Sequence, residues 1–235
     1  MTFSIIIPTR NERNNLKNLL PVLVKLYSES PIWIVDDDST DQTAEFVKSF
    51  SQKYPKVHLI SRKNKLGRGS ALLDGLKEAY KDNKISYFLE MDADFSHNPQ
   101  EIKKLLPQVR SNTIVIGSRH VQSSKFINCS PIRVILSHLA NWYARLILGI
   151  PIRDYTNGFR LYPRNAVEIL SHSIIHEKGY VVLSETAFLL HKRGFNFKEV
   201  PTVFVNRVIG HSNATIFEFL RSIPAILKIR FIYTF

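Results

Sequence analysis

The chain has 235 residues, 44% hydrophobic and 22% charged. That is the composition of one large globular domain or slightly more, and it excludes disordered, collagen-like and coiled-coil architectures. Lys and Arg number 32 against 20 Asp and Glu, a net charge of +12. This excess predicts an anionic partner: nucleic acid, a phosphorylated substrate or acidic lipid. The single cysteine, Cys129, leaves no internal disulfide and no cysteine-based zinc cluster. The N-terminal residues carry no signal-peptide pattern. No uncharged window of 18 residues exists in the sequence, so no bilayer-spanning segment is expected. Charge is unevenly placed. Between Arg119 and Arg164 there are seven basic residues and one acidic, Asp154, whereas the acidic motifs lie before residue 95.

In chain order, Ser4–Pro8 is a continuous apolar run ended by proline, the pattern of a strand buried on both faces. Leu16, Leu19, Leu20, Leu23 and Val24 then share one face of a helix. Ile32–Val35 predicts the second strand, and Asp38 or Ser39 is placed to cap a helix bearing Ala44, Phe46 and Val47. Val57–Ile60 reads as a strand, Gly67–Tyr80 as a helix and Tyr87–Met91 as a strand. Ile102–Val109 reads as a helix and Thr113–Ile116 as a fifth strand. Strands alternating with helices predict βαβ units and a mostly parallel central sheet with helices on both faces. In the second half, Pro131–Gly149 is helical, with Ile135, Leu139, Trp142, Leu146 and Ile147 on one stripe. A helix over Val181–Lys192 and a strand over Phe197–Val205 follow. Thr215–Phe235 is helical in pattern and kinked or divided at Pro224. Trp33, Trp142 and Cys129 are expected in the core, with a lipid contact as the second reading for Trp142. The eight histidines form no ligand pair.

Open parallel sheets bind ligands beyond the carboxyl ends of their strands, and polar motifs recur there. In Asp92-Ala93-Asp94, two carboxylates two residues apart share one face of extended backbone. They suit a hard divalent cation held partly by substrate phosphates; the alternative is a solvated turn, with Asp94 capping the helix near Pro99. Asp36-Asp37-Asp38 is either a cap or a cluster whose charge is offset by a cation, a base or a ribose. Gly67-Arg68-Gly69 lacks the spacing of a phosphate-binding loop or a dinucleotide fingerprint, so its glycines serve a turn or a close backbone approach. Arg207 to Ser212 is a basic surface loop or a phosphate-binding turn, for which arginine supplies a rigid donor fork.

Taken together, six ordered segments over about residues 4 to 213 resemble family 2 glycosyltransferases of the GT-A fold, in particular the dolichyl-phosphate mannosyltransferases and other polyprenyl-phosphate glycosyltransferases. Pro8-Thr9-Arg10-Asn11-Glu12 is similar to that family's Pro-Thr-Tyr-Asn-Glu. Val35-Asp36-Asp37-Asp38-Ser39 is similar to its Val-Asp-Asp-Asp-Ser, and Met91-Asp92-Ala93-Asp94-Phe95-Ser96-His97 to its Met-Asp-Ala-Asp-Leu-Ser-His. Gly117-Ser118-Arg119, the stretch from Arg153-Asp154 to Gly158-Phe159-Arg160, and Arg207 to Ser212 continue the likeness.

The resemblance implies an α/β GT-A nucleotide-diphospho-sugar transferase fold over residues 1–213, with a nucleotide-sugar half (1–118), an acceptor half (119–213) and an amphipathic C-terminal segment (214–235). It implies inverting transfer of a mannose- or glucose-like sugar from a nucleotide-diphosphate sugar to a polyprenyl (dolichyl or undecaprenyl) phosphate. Pro8, Arg10, Glu12, Val35, Asp37, Asp92, Ala93, Ser96 and Arg207 would bind the nucleotide-sugar. Asp94 and Asp92 would hold Mg2+ or Mn2+. Asp92, Asp94 and Arg119 would be the catalytic set, and Arg119, Arg133, Arg207 and Ser212 would meet the acceptor phosphate. Arg10 replaces the family's tyrosine and Asn213 its lysine, so GDP-mannose and a UDP-sugar both stand as donors.

The +12 charge and the apolar and basic residues of 215–235 predict a peripheral position on the cytoplasmic side of a membrane. The alternative is a helix packed on the domain, on a second copy of the chain or on a membrane-anchoring subunit. A chain ending at Phe235 is read as a peripheral or shortened form. The competing functions are a family 2 transferase acting on a growing surface polysaccharide or other non-lipid acceptor, and a non-catalytic nucleic-acid-binding module. The second is disfavoured, because carboxylates at the binding edge repel a phosphate backbone.

Overall fold

The computed structural model describes residues 2–177, 179–206 and 216–233. The first half runs β1 (Phe3–Thr9), α1 (Arg13–Leu26), β2 (Ile32–Asp37), α2 (Thr43–Lys53), β3 (Val57–Arg62), α3 (Arg68–Tyr80), β4 (Tyr87–Glu90), α4 (Ile102–Leu105) and β5 (Thr113–Ser118). The second runs β6 (Lys125–Ile127), α5 (Pro131–Leu148), β7 (Arg160–Pro163), α6 (Arg164–His172), α7 (Val182–Lys192), β8 (Asn196–Pro201), β9 (Val203–Val205) and α8 (Ile216–Ile232).

Seven strands form one sheet in the order β3-β2-β1-β4-β7-β5-β8, and β6 pairs with β9 in a separate parallel ribbon. All pairings in the large sheet are parallel except the two made by β7, which runs against both β4 and β5. β4 and β5 therefore point the same way, and the carboxyl ends of β1, β2, β3, β4, β5 and β8 lie at one edge. The reversed β7 delivers its amino end, and the loop before it, to that same edge. This mostly parallel α/β architecture is the expected one.

Every residue of β1 is buried, because helices cover both faces. Ile5 and Ile7 join Leu16, Leu19, Leu20, Val47 and Ile102 from α1, α2 and α4. Ile6 points to the other side and joins Leu72 of α3, Ala144 of α5, Val167 of α6, Phe188 of α7 and Ile226 of α8. α3 lies against β1 and β2 because residue 75 is glycine. A Cβ there would come within 2.6 Å of Ile6 Cγ2 and 2.8 Å of Val35 Cγ2.

Several expectations are corrected. The predicted strand 197–205 is two strands, split at Thr202, whose N–H donates to Ser118 O at 3.1 Å. Its hydroxyl bonds buried Glu101. The helix expected over 102–109 is one α turn between 3-10 turns at Pro99–Glu101 and Leu106–Gln108. α2 is capped by neither Asp38 nor Ser39; Asp41 accepts the Thr43 N–H at 3.1 Å. Pro224 lies inside a continuous α8 and does not divide it. Trp142 is 64% exposed, on a helix whose stripe Ile132, Ile135, Leu139, Trp142 and Leu146 faces outward. Trp33 is half-buried and stacks on His58 at 4.4 Å. Cys129 is half-buried in the turn before α5. β6, β7 and α6 have no counterpart among the sequence-predicted elements.

Gly75→Ala is expected to destabilise the fold. Overpacking against two β-branched side chains costs about 1–3 kcal/mol, more than the ~1 kcal/mol alanine gains over glycine in a helix. The check is a lower urea midpoint at unchanged m-value.

Candidate active site

At the shared edge the loops after β1 and β2 are stitched together. Pro8 sits opposite Val35 in register, both buried, and Thr9 Oγ1 donates to Val35 O at 3.2 Å. Asn11, in a left-handed conformation (φ 56°), donates its N–H to Ser39 Oγ at 2.8 Å and accepts the Thr40 N–H at 2.8 Å. Arg10 is exposed at the tip of this loop. Glu12 accepts Asn15 Nδ2 at 2.5 Å. Asp36 binds the hydroxyl and N–H of Ser39, and burial pushes its carboxyl up from the ordinary range.

Asp37 is turned toward the loop before α3. Its two oxygens accept the N–H groups of Leu66 (2.9 Å) and Gly67 (2.8 Å), and Arg62 Nη1 lies 3.1 Å away. Gly67 adopts φ 97°, a conformation L side chains rarely adopt, and opens α3. The next residue, Arg68, reaches across the edge to the end of β4. It donates from Nη1 to Glu90 at 2.7 Å, and from Nη2 (2.7 Å) and Nε (3.2 Å) to Asp92 Oδ1. One loop thus connects Asp37 with Asp92.

After β4, Asp92 lies at the rim with its side chain 28% exposed, while Ala93, Asp94 and Ser96 are buried. Asp94 Oδ1 accepts the Ser96 N–H at 3.1 Å. His97 is fully buried. Its Nδ1 accepts the Asp92 N–H at 3.0 Å, which makes Nε2 the protonated nitrogen, donating to Asn157 Oδ1 at 2.7 Å. The ring stacks on Phe159 at 5.0 Å. Asn157 in turn donates to Gly117 O. The capping role read for Asp94 near Pro99 belongs instead to Asn98, whose side chain accepts the Gln100 N–H.

Arg119, at the end of β5, is locked to fully buried Asp154. Its Nε and Nη2 donate at 2.8 and 2.7 Å, and its own N–H adds a third bond at 2.9 Å. Burial alone would raise the Asp154 pKa, but the Arg119 guanidinium outweighs it and holds the carboxyl well below the usual range. The guanidinium also sits 5.3 Å from the centroid of the Phe204 ring, and Arg133 lies 5.5 Å from the same ring. Arg133 donates to Asn206. Two of the predicted acceptor arginines therefore converge on β9. Arg207 and Ser212 lie outside the described residues.

Ser96 Oγ is buried with no hydrogen-bond partner among the described residues. Together with the Asp94 and Asp92 carboxylates it offers hard oxygen donors, the chemistry a divalent magnesium or manganese ion accepts. No group of three His, Cys, Asp or Glu side chains placed to hold a metal occurs among the described residues. An ion here would therefore complete its shell from substrate phosphates and water.

Four functional candidates escaped the motif reading: Arg68, His97, Asp154 and Asn157. His97 and Asp154 stood inside quoted motifs without a role. Arg68 lay between two glycines read as a turn.

The family described as glycosyl transferase family 2 matches residues 4–170. An undecaprenyl-phosphate mannosyltransferase from Micrococcus luteus is 34% identical over 207 residues, covering 88% of this chain and 85% of that protein. A polyprenol monophosphomannose synthase from Mycolicibacterium smegmatis is 36% identical over 214 residues, covering 88% and 79%. Among solved structures, glucosyl-3-phosphoglycerate synthase from Mycobacterium tuberculosis in complex with Mn2+, UDP-glucose and phosphoglyceric acid superposes with a TM-score of 0.66. The identity is 17%, over 97% of this chain and 79% of that one, a likeness of fold.

Asp154→Asn is expected to lower stability by up to about 3–5 kcal/mol, because it leaves the largely buried Arg119 without its counter-charge. The Asp154 carboxyl is depressed in the folded state, so its contribution is present above the unfolded pKa of about 3.9. That contribution fades as pH falls toward the folded value. Denaturant titrations below about pH 4 should therefore show a flatter loss of stability with acid in the variant than in the parent.

Proposed function

The chain belongs to glycosyl transferase family 2, and on that premise we propose that it transfers a sugar from a nucleotide-diphosphate sugar to a polyprenyl phosphate. The named relatives favour a mannosyl group. The observation that carries this reading is the pairing of an acidic rim after β4 with two arginines converging on Phe204 across the same edge. Such a site takes a nucleoside diphosphate on one side and a phosphate monoester on the other. We assign the first to residues 1–118 and the second to 119–213.

The acceptor phosphate has its second pKa near 6 and is largely dianionic at pH 7. One of its oxygens attacks the anomeric carbon as the bond to the departing diphosphate breaks, inverting that carbon, through an oxocarbenium-like transition state. The electron pair leaves with the nucleoside diphosphate, and no strong general base is required. Pro8, Arg10, Glu12, Val35, Asp37, Ala93 and Ser96 line the donor side. Asp94, supported by Asp92 and Ser96, would hold Mg2+ or Mn2+, which offsets charge on the leaving diphosphate as a Lewis acid. Arg119 and Arg133, with Arg207 and Ser212 beyond the described residues, hold the acceptor phosphate. Because Asp154 holds Arg119, and Asn157 through His97 holds the backbone just after β4, Arg119 and Asp92 are oriented before substrate arrives.

The acceptor's chain resides in a bilayer, and the protein carries a face suited to one. The outward stripe of α5 is apolar for five large side chains, and the helix contains no acidic residue. Neighbouring α8, tied to α5 by Tyr143 donating to Ile223 O at 3.0 Å, adds exposed Leu220, Leu227 and Phe231 beside Arg221, Lys228 and Arg230. No helix among the described residues is long and apolar enough to cross a membrane. The reading is a peripheral transferase whose α5–α8 face rests on the cytoplasmic leaflet.

Incubated with labelled GDP-mannose or a labelled UDP-sugar, polyprenyl phosphate and Mn2+, the protein should move label into organic solvent. Asp94→Ala should lose about 10²–10³-fold in turnover, the scale of removing one charge-stabilising group, with its circular dichroism unchanged. Near-normal turnover in that variant overturns the metal-holding role. Label confined to water-soluble product points to a non-lipid acceptor.

Trp142→Glu/Leu146→Glu should abolish co-flotation with vesicles containing anionic lipid while leaving nucleotide affinity intact. Wild-type-like flotation of this variant rejects the assigned face.

A further inference from the structure

Arg68 grips two carboxylates at once, Glu90 at the end of β4 and Asp92 just after it, and no motif of the proposed site contains it. Glu90 is fully buried, and its second oxygen accepts the Tyr162 hydroxyl at 3.0 Å. A charge that deep must be compensated. Arg68 Nη1 meets that need alone, yet its Nη2 and Nε go to Asp92. Its guanidinium also sits 5.8 Å from the Tyr180 ring centroid. The arrangement has been given room: a Cβ at position 158 would stand 2.2 Å from Arg68 Nη2 and 3.0 Å from Glu90 Oε1, so a side chain there would displace the clamp. Immediately upstream, the N–H groups of Leu66 and Gly67 hold Asp37. The start of α3 therefore fixes both acidic strand ends, Asp37 through its backbone and Asp92 through its side chain.

We propose that Arg68 is a positioning residue for donor binding: it sets the orientation of the Asp92 carboxylate and neutralises the β4 rim so that a nucleoside diphosphate can approach. Three carboxylates (Glu90, Asp92, Asp94) end the strand and its loop. Without a fixed cation among them they would repel the diphosphate and one another, and Asp92 would turn from buried Glu90 toward water. A lysine cannot reproduce the clamp, since a point charge lacks the planar fork that spans two acceptors. The inference rests on the nucleotide-sugar reading and concerns its donor half alone.

The test compares Glu90→Gln with Arg68→Met/Glu90→Gln. The second change removes the arginine after its buried partner has been made neutral, so that no uncompensated charge remains in the core. Calorimetric titration with GDP or UDP and Mn2+ reads donor binding, thermal melting reads the fold, and kinetics with polyprenyl phosphate read the acceptor. The double variant should melt near the Glu90→Gln temperature and bind Mn2+-nucleotide at least about tenfold more weakly, as loss of an orienting partner does at other metal sites. Its KM for the lipid should be unchanged. Arg68→Lys/Glu90→Gln should fall between the two, and it carries the same comparison if the methionine variant does not fold. Nucleotide affinity equal to that of Glu90→Gln in either arginine variant overturns the proposal. Wild-type protein that binds nucleotide but does not modify lipid leaves the clamp standing and refutes the acceptor. Wild-type protein that binds neither nucleotide overturns both readings.

Discussion

Charge compensation at one sheet edge governs this molecule. Carboxylates at the ends of β2 and β4 and in the loop before β7 each have a guanidinium group set against them. Arg62 stands beside Asp37, Arg68 beside Glu90 and Asp92, and Arg119 beside Asp154. Buried ion pairs contribute little net stability, since desolvation consumes most of the Coulombic gain. Their value lies in orientation. Arg119 makes two side-chain bonds to Asp154 and one to Thr156, at 2.6 Å. It therefore has one rotamer to offer a ligand and loses little freedom on binding. Preorganised groups of this kind act on developing charge without reorganising at the moment of reaction.

The reversal of β7 makes that compensation geometrically available. Were β7 parallel to its neighbours, the segment from Asp154 to Phe159 would emerge at the opposite edge. Running antiparallel between β4 and β5, it instead sets Arg160 opposite both Glu90 and Ile116. It also places Asn157 between His97 and Gly117. Arg160 itself is fully buried and donates to three backbone carbonyls, those of Asn157, Leu183 and Tyr155. It braces the loop against α7 rather than facing the edge. Motifs far apart in the chain thus become one constellation because a short strand runs backwards.

How legible this was in the sequence follows from which signals are local. β1, β2 and β5 announce themselves as apolar runs because strands covered on both faces admit little else, and the edge strand β3, only half-buried, still carries the run Val57-His58-Leu59-Ile60. β7 does not. Its four residues Arg-Leu-Tyr-Pro begin with a buried arginine and end with proline, so neither periodicity nor composition marks a strand. β6 is three residues long and pairs only with β9, a contact set by tertiary structure. The acidic motifs at strand ends were readable as a candidate site, since strand polarity places them at one edge. The counter-charges were not. Arg68 pairs with residues 22 and 24 positions away and Arg119 with one 35 away, separations that no local spacing rule reaches. The exposure of Trp142 was hidden for a related reason: a 3.6-residue apolar period says that a face is covered, without saying by what.

That last ambiguity resolves into the two-sided character of α5. Arg133, Ser137 and Asn141 fall four residues apart and face the domain. Arg133 reaches Asn206, Ser137 and Asn141 meet His120, and Asn141 also accepts the Tyr155 N–H at 2.6 Å. Burial pushes the His120 imidazole down to about 4, so it joins this network as a neutral ring at neutral pH. The opposite face of the same helix is the apolar stripe. Under the proposed function, one rigid 18-residue element bears the bilayer on one side and supports Arg119, through its neighbour His120, on the other. The depth at which the helix settles then fixes the height of the arginines above the lipid. A phosphate tethered to a membrane-embedded chain is restricted to that height as well. Under that proposed function, the sequence pattern that looked like a core helix brings the acceptor's charged end into register with the groups proposed to receive it.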